Sequence, residues 1–271
     1  MLLNLIYLLS ALVAVGLLLL TEGGIGLALA CFVGCFLLSL LVCFLIIWVA
    51  AKRTDPEKEH TQDDPFIRGI VKLYAPAVFR LLGCKIHVRG AERMPTQGRF
   101  LLVSNHLADL DPGIFFTAFP DDQLSFIAKK EVAQMPIIGI LMRRILCQFV
   151  NRENDREALK TILKCISILK EDQASIAVFP EGRIAGDNLM HHYRPGVFKI
   201  AQKANVPIVV CTLNGSQNSL PNAKRLRRTR IRLHLLEVIP AQELKGVTTV
   251  DIAARVHTIM AADLGAEFVA E

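Results

Sequence analysis

His106 and Asp111 stand five residues apart in the run Val103-Ser104-Asn105-His106-Leu107-Ala108-Asp109-Leu110-Asp111-Pro112. A carboxylate beside an imidazole fixes the ring tautomer and stabilises the protonated ring. A ring held in that way can take a proton from an alcohol as a general base. The same residues also have an ordinary reading, a loop histidine followed by an aspartate that caps a helix. Asp109 is a second acid close to His106, and spacing alone does not choose between it and Asp111. A second run reads Val178-Phe179-Pro180-Glu181-Gly182-Arg183. Glycine in a tight loop after a strand lets backbone N–H groups point at an anion, and arginine adds a fork suited to phosphate. Its ordinary reading is a turn with Glu181 and Arg183 in solvent. The third run, Ala128-Lys129-Lys130-Glu131 followed by Pro136-Ile137-Ile138-Gly139, offers two lysines for phosphate or an ordinary solvated turn. The fourth, Val206-Pro207-Ile208-Val209, reads as structural.

These runs need elements to hold them. Short, wholly apolar segments such as Phe100-Leu101-Leu102-Val103, Ile176-Ala177-Val178-Phe179 and Ile208-Val209-Val210-Cys211 read as strands buried on both faces. Strands are predicted over 85–89, 99–104, 124–128, 147–150, 175–179, 207–213 and 230–237. Helices are predicted over 66–83, 112–119, 131–144 in two pieces, 153–170, 195–204 and 248–264. Pro76 is expected to kink or break the first of these. In 153–170, Ala158, Ile162, Cys165, Ile166 and Leu169 share one face, with Asn154 or Asn151 available as the cap. Strands alternating with helices imply an α/β fold with a mixed, largely parallel sheet flanked by helices. The first two runs then fall where strands end and helices begin, the boundary at which functional side chains collect in such sheets.

Composition divides the chain in two. Residues 1–50 carry one charge, Glu22, whereas all 31 Lys and Arg and 24 of the 25 acids lie beyond, giving that part +7. A chain that is 52% hydrophobic and split in this way is neither disordered, nor a disulfide-stapled miniprotein, nor wholly soluble. Nothing after residue 50 reads as a span, which argues against a polytopic transporter. Residues 2–20 and 25–50 are predicted as two apolar helices around Thr21-Glu22-Gly23-Gly24, a hairpin that either crosses the bilayer or dips into one leaflet. A cleaved signal would want a basic start and a small-residue cleavage site, and Met1-Leu2-Leu3-Asn4 lacks the base. Lys52 and Arg53 favour the cytoplasmic side for the downstream chain, and Trp48 suits an interfacial anchor. The division expected is 1–50 as a membrane-anchoring hairpin, 51–65 as a linker and 66–271 as the domain that does the chemistry. The seven cysteines form no CxxC pair and stand at no zinc-ligand spacing with histidine, as structural thiols do. The basic run from Lys224 to Arg230, with Arg232, has no interleaved aromatics and is disfavoured as a nucleic-acid patch. It reads either as a dock for anionic headgroups or as a solvated turn and an edge strand protected by charge.

Together the four runs resemble the lysophosphatidic acid acyltransferase family, the glycerolipid acyltransferases. Asn105, His106 and Asp111 match its first motif, an Asn-His followed by four residues and an Asp. Lys130-Glu131 with Pro136 and Gly139 resembles the second, Phe179-Pro180-Glu181-Gly182 the third, and Val206-Pro207-Ile208 the fourth. The order and spacing fit over roughly residues 85–215. Two positions depart from the pattern. Arg183-Ile184-Ala185 stands where Thr-Arg-Ser is common, so the arginine comes one place early. Ala108 stands where Ser is frequent. The resemblance implies that His106, oriented by Asp111, deprotonates the sn-2 hydroxyl of 1-acyl-sn-glycerol 3-phosphate (lysophosphatidic acid). That oxygen would attack acyl-CoA or acyl carrier protein and form phosphatidic acid. Glu181, Gly182, Arg183 and Lys130 would bind the acceptor. No metal or cofactor is implied beyond the acyl donor, and no nucleic acid; an anionic membrane surface is the expected partner. The expected location is the membrane, the plasma membrane in a bacterium, with the catalytic domain on the cytoplasmic face. Acylation of another lysophospholipid and a non-catalytic, membrane-tethered lipid-binding module are the alternatives.

Overall fold

The structure, a computed structural model, describes residues 2–20, 24–52, 61–151 and 154–270. Among them seven strands form one sheet: β1 (Cys84–Arg89), β2 (Leu101–Ser104), β3 (Leu124–Lys129), β4 (Gln148–Val150), β5 (Ser175–Val178), β6 (Ile208–Asn214) and β7 (Thr229–Ile239). Their order is β1-β7-β6-β2-β5-β3-β4. Every neighbouring pair is parallel except β6 and β7. All seven strands are legible from the sequence, and the mixed, largely parallel sheet is the one expected.

Alternation along each central strand feeds two cores. Leu101, Val103, Ile176, Val178, Ile208 and Val210 face one side, packed under α6 (Asp155–Lys170), α7 (Lys199–Ala204) and α9 (Thr249–Leu264). Leu102, Ala177, Phe179, Val209 and Cys211 face the other, under α3 (Pro65–Leu81) and α4 (Asp111–Ala118). Each large apolar side chain so buried contributes roughly 1.5–3 kcal/mol, so the central strands form a firm platform. The chain leaves β2 towards β3 on one side and leaves β5 towards β6 on the other. In open α/β sheets, neighbouring strands whose connections run in opposite directions are the ones at whose C-terminal ends ligands bind.

Several local expectations are corrected. Helix α3 runs unbroken through Pro76. Proline forfeits one backbone bond, but Ile67, Ile70 and Phe79 bury the helix on the second core. Its start is held by Asp64, which accepts from the amides of Phe66 (2.9 Å) and Ile67 (3.1 Å). Arg68 then reaches the carbonyls of Leu124 (2.9 Å) and Ile145 (3.2 Å). Thus the last position of the expected linker, Pro65, already belongs to the helix; residues 53–60 of that linker lie outside the described residues. The pieces 130–134 and 195–198 are 3-10 turns rather than α-helix, continuing into α5 (Ile138–Arg144) and α7. Asn154, not Asn151, caps α6, accepting from Arg156 (3.1 Å) and Glu157 (3.2 Å). A short helix absent from the sequence reading, α8 (Ser219–Lys224), precedes β7. The edge-strand reading of the basic run fails, because β7 lies between β1 and β6 and the sheet ends on β1 and β4.

The N-terminal segments form α1 (Leu2–Leu20) and α2 (Gly24–Lys52), so the second extends two residues past the expected end at 50. They fold back on each other, with Tyr7 stacked on Phe36 at 4.9 Å. The turn at residues 21–23 is outside the described residues. Among those described, α2 alone is long and apolar enough to cross a membrane, over Gly24–Val49, while the apolar stretch of α1, Asn4–Leu19, is shorter.

Candidate active site

Parallel register puts the ends of β2 and β5 side by side, with Val103 opposite Val178. His106 follows β2 by two residues and Glu181 follows β5 by three, so both stand at the C-terminal ends of these two strands. The loop between β2 and α4 is fixed at three points. Asn105 is buried and behaves like an extra rung of sheet. Its amide donates to the carbonyl of Leu213 (2.9 Å), and its oxygen accepts from the Leu213 amide (2.7 Å). Glu181 accepts the His106 amide at 2.9 Å through one oxygen and the His191 amide at 3.0 Å through the other. Asp111, in the first turn of α4, accepts the amides of Leu107 (2.7 Å) and Ala108 (2.9 Å).

The same Asp111 oxygen lies 2.9 Å from His106 Nδ1. A carboxylate there makes Nδ1 the protonated nitrogen of the neutral ring and leaves the Nε2 lone pair free. Asp111 is wholly buried, and its second oxygen has no hydrogen-bond partner among the described residues. Phe179 stacks on the His106 ring at 4.1 Å and 9°, and itself rests on Phe126 (5.7 Å). The imidazole is therefore fixed edge-on by the acid and face-on by an aromatic ring. The choice between acids is settled geometrically, because Asp109 is exposed and makes no side-chain bond among the described residues.

Glu181 is buried, and burial, the largest influence, pushes its carboxyl above the ordinary value. The His191 and His106 amides and the nearby imidazoles act in the opposite direction. Its geometry suits an acceptor that ties two loops together. Gly182 follows with φ +74°, and a Cβ there would come within 3.2 Å of Arg194 Nε. Arg183 is exposed and makes no side-chain bond among the described residues, as is Lys130 in the turn after β3. The structure brings His106, Asp111, Glu181 and Gly182 together, while Arg183 and Lys130 stand along the same edge without contact to them. Two residues that were given no role from sequence are part of this site: Asn105, read only as a motif position, and Arg194, which was not singled out. Arg194 carried no signal in the sequence, because ten residues separate it from Arg183.

Three cysteines, Cys147, Cys165 and Cys211, are buried with their thiols pushed up by desolvation, Cys147 to about 12. Such thiols do not supply a nucleophile.

Residues 85–214, which hold every candidate side chain, match the family model described as Acyltransferase. His106, at a strand end of the mixed α/β sheet, lies inside that match, so this segment is similar to the acyltransferases. The likeness to the glycerolipid branch extends to curated relatives. A probable 1-acyl-sn-glycerol-3-phosphate acyltransferase of Mycoplasma pneumoniae is 31% identical over 165 residues, 57% of this chain and 61% of the relative. The 1-acyl-sn-glycerol-3-phosphate acyltransferase of Borreliella burgdorferi is 31% identical over 138 residues, 51% and 54% of the two chains. The chain thus spans a little over half the length of these relatives. The crystal structure of the 1-acyl-sn-glycerophosphate acyltransferase PlsC from Thermotoga maritima superposes with a TM-score of 0.64 over 97% of this chain and 96% of that one. At 18% identity it shares the fold.

The geometry generates a paired prediction. Asp111→Asn is expected to lower turnover by about 10²–10⁴-fold, because the ring loses its orienting charge and its tautomer. Asp109→Asn is expected to stay near wild type. Steady-state rates of both purified variants check this, and equal losses would dissolve the pairing.

Proposed function

We propose that this chain is a 1-acylglycerol-3-phosphate O-acyltransferase. It moves a fatty acyl group from acyl-CoA or acyl carrier protein to the sn-2 hydroxyl of 1-acyl-sn-glycerol 3-phosphate and releases phosphatidic acid. The observation that carries the reading is the His106–Asp111 contact of 2.9 Å, held at a strand end beside a glycine loop. The relatives' names agree with it.

The steps use this chain's own groups. His106 Nε2 takes the hydroxyl proton as the acceptor oxygen attacks the thioester carbonyl carbon. Asp111 stabilises the imidazolium. Collapse of the tetrahedral species breaks the C–S bond, and the departing thiolate takes the proton back from His106. No acyl-enzyme forms, in keeping with buried, protonated thiols and the lack of a GxSxG elbow. Gly182 and Arg183 bind the acceptor phosphate, with Lys130 assisting; Glu181 holds the loop that presents His106. Residues 1–50 anchor the chain in the membrane, and the domain faces the cytoplasm, where its donors are made.

His106→Ala is expected to abolish measurable transfer while the protein stays folded and membrane-bound, since a positioned base contributes about 10²–10⁴-fold. Near wild-type turnover in a folded variant would refute the base and favour a lipid-binding module. For Arg183→Ala, the acceptor KM is expected to rise about tenfold or more with the donor KM little changed, one charge-assisted contact being worth about 1.5–3 kcal/mol. Equal effects on both substrates would remove Arg183 from the phosphate site. Orientation is tested with His60→Cys in sealed cells. No labelling by an impermeant maleimide is expected, and ready labelling from outside would reverse the topology.

A further inference from the structure

The loop that joins α8 to β7 holds an exposed leucine among bases. Leu226 is 96% exposed and adopts φ +53°, the left-handed conformation in which glycine or asparagine is the usual residue. Lys224, Arg225, Arg227 and Arg228 surround it in sequence, all exposed, and none has an acidic partner among the described residues. The loop is nonetheless well built. Leu226 donates to the Ala223 carbonyl (3.0 Å), and Arg225 (3.0 Å) and Arg227 (2.9 Å) both donate to that of Asn222. The Asn222 side chain donates to Thr229 Oγ1 (3.1 Å), and the Thr229 amide donates to the Gly83 carbonyl (3.1 Å).

Strand direction sets which way this loop faces. β7 is antiparallel to β6, with Arg232 opposite Asn214, the last residue of β6. The start of β7 therefore lies at the same sheet edge as His106 and Glu181. Thr229 is three residues further out, or roughly 10 Å beyond the end of β6. The C-terminal end of α3 and the start of β1 share that edge, since Cys84 pairs with Thr229. No Asp or Glu occurs between residues 65 and 91 or between 215 and 236. Register then sets Lys85 directly opposite Arg230, at exposed positions of both strands. Like charges placed so repel each other, and an anionic surface relieves that repulsion. Leu81 and Leu220, both about half exposed, add apolar surface to the same region.

We propose that this edge, with Leu226 as an apolar peg within a basic collar, docks onto the anionic lipid surface that carries the acceptor. An anionic bilayer offers two layers of chemistry, phosphates above acyl chains, and the edge offers their complements at matching positions. An acidic protein would satisfy the bases but leave the leucines in water. The proposal rests on the reading of a membrane-borne acceptor and extends it, because the same docking brings the C-terminal ends of β2 and β5, with His106 and Glu181, towards the lipid headgroups.

Trp48 is the chain's sole tryptophan, which gives a direct test. The full-length Trp48→Phe/Leu226→Trp protein is reconstituted in phosphatidylcholine vesicles with or without phosphatidylglycerol, their acyl chains brominated. Fluorescence is expected to be quenched when phosphatidylglycerol is present. Replacing Lys224, Arg225, Arg227 and Arg228 with Gln in that protein should abolish the quenching. The Trp48→Phe/Val250→Trp protein, whose fluorophore sits at the start of α9 beyond the opposite end of β7, should stay unquenched throughout. Absence of quenching at 226, or equal quenching at 250, overturns the proposal. So does an emission shift at 226 that needs added acyl carrier protein, which would assign the face to an acidic protein. The readout uses no turnover. Quenching with no transfer to lysophosphatidic acid refutes the acyltransferase reading alone, and transfer with no quenching refutes the docking alone.

Discussion

The site depends on a carboxylate with no exposed surface. An ionised group taken out of water is costly unless hydrogen bonds and an opposite charge replace its hydration. Asp111 receives two backbone amides and an imidazole on a single oxygen. Those partners are also the loop that precedes it, so the residue that needs solvating dictates the shape of its own solvation shell. Any ring position other than the observed one would leave the acid less well satisfied. His106 is thereby held without a contribution from substrate, the condition under which a base acts without reorganising.

The sheet makes that arrangement possible. Both faces of β2 and β5 are covered, so their ends hold firm. Asn105 and Glu181 transfer the stiffness of the strands to the loop, one by bonding to β6 and the other by bridging to the loop after β5. A buried polar group without a partner is costly, and the second oxygen of Asp111, without one among the described residues, is the unsatisfied point of this network.

Much of this was legible in the sequence because its physics is local. Runs such as Ile208-Val209-Val210-Cys211 have no amphipathic face, which identifies strands covered on both sides. The motif runs fall at strand ends, so their proximity followed from a parallel sheet. What escaped the reading is non-local. Pro76 sits inside a helix because the second core, assembled from distant segments, holds the turns on either side of it. Charge suggested an edge for the last strand, yet β1 covers it, and pairing between residues so far apart leaves no periodic trace. Arg194 reaches Gly182 across a loop whose path depends on Glu181 and His191, not on its own composition.

That pairing of β1 with β7 also bears on synthesis. Strand β1 is an edge strand whose one neighbour is β7. It leaves the ribosome before its neighbour, with residues 90–228 made between the two, and until β7 follows, Cys84–Arg89 has no partner. Its bases, Lys85 and Arg89, are of the kind that keep an unpaired strand from joining other chains. The order of manufacture thus runs opposite to the order of closure. The loop that holds His106 can form around β2, β5 and β6 while the sheet is still open on one side, and β7 seals it by reaching back to β1.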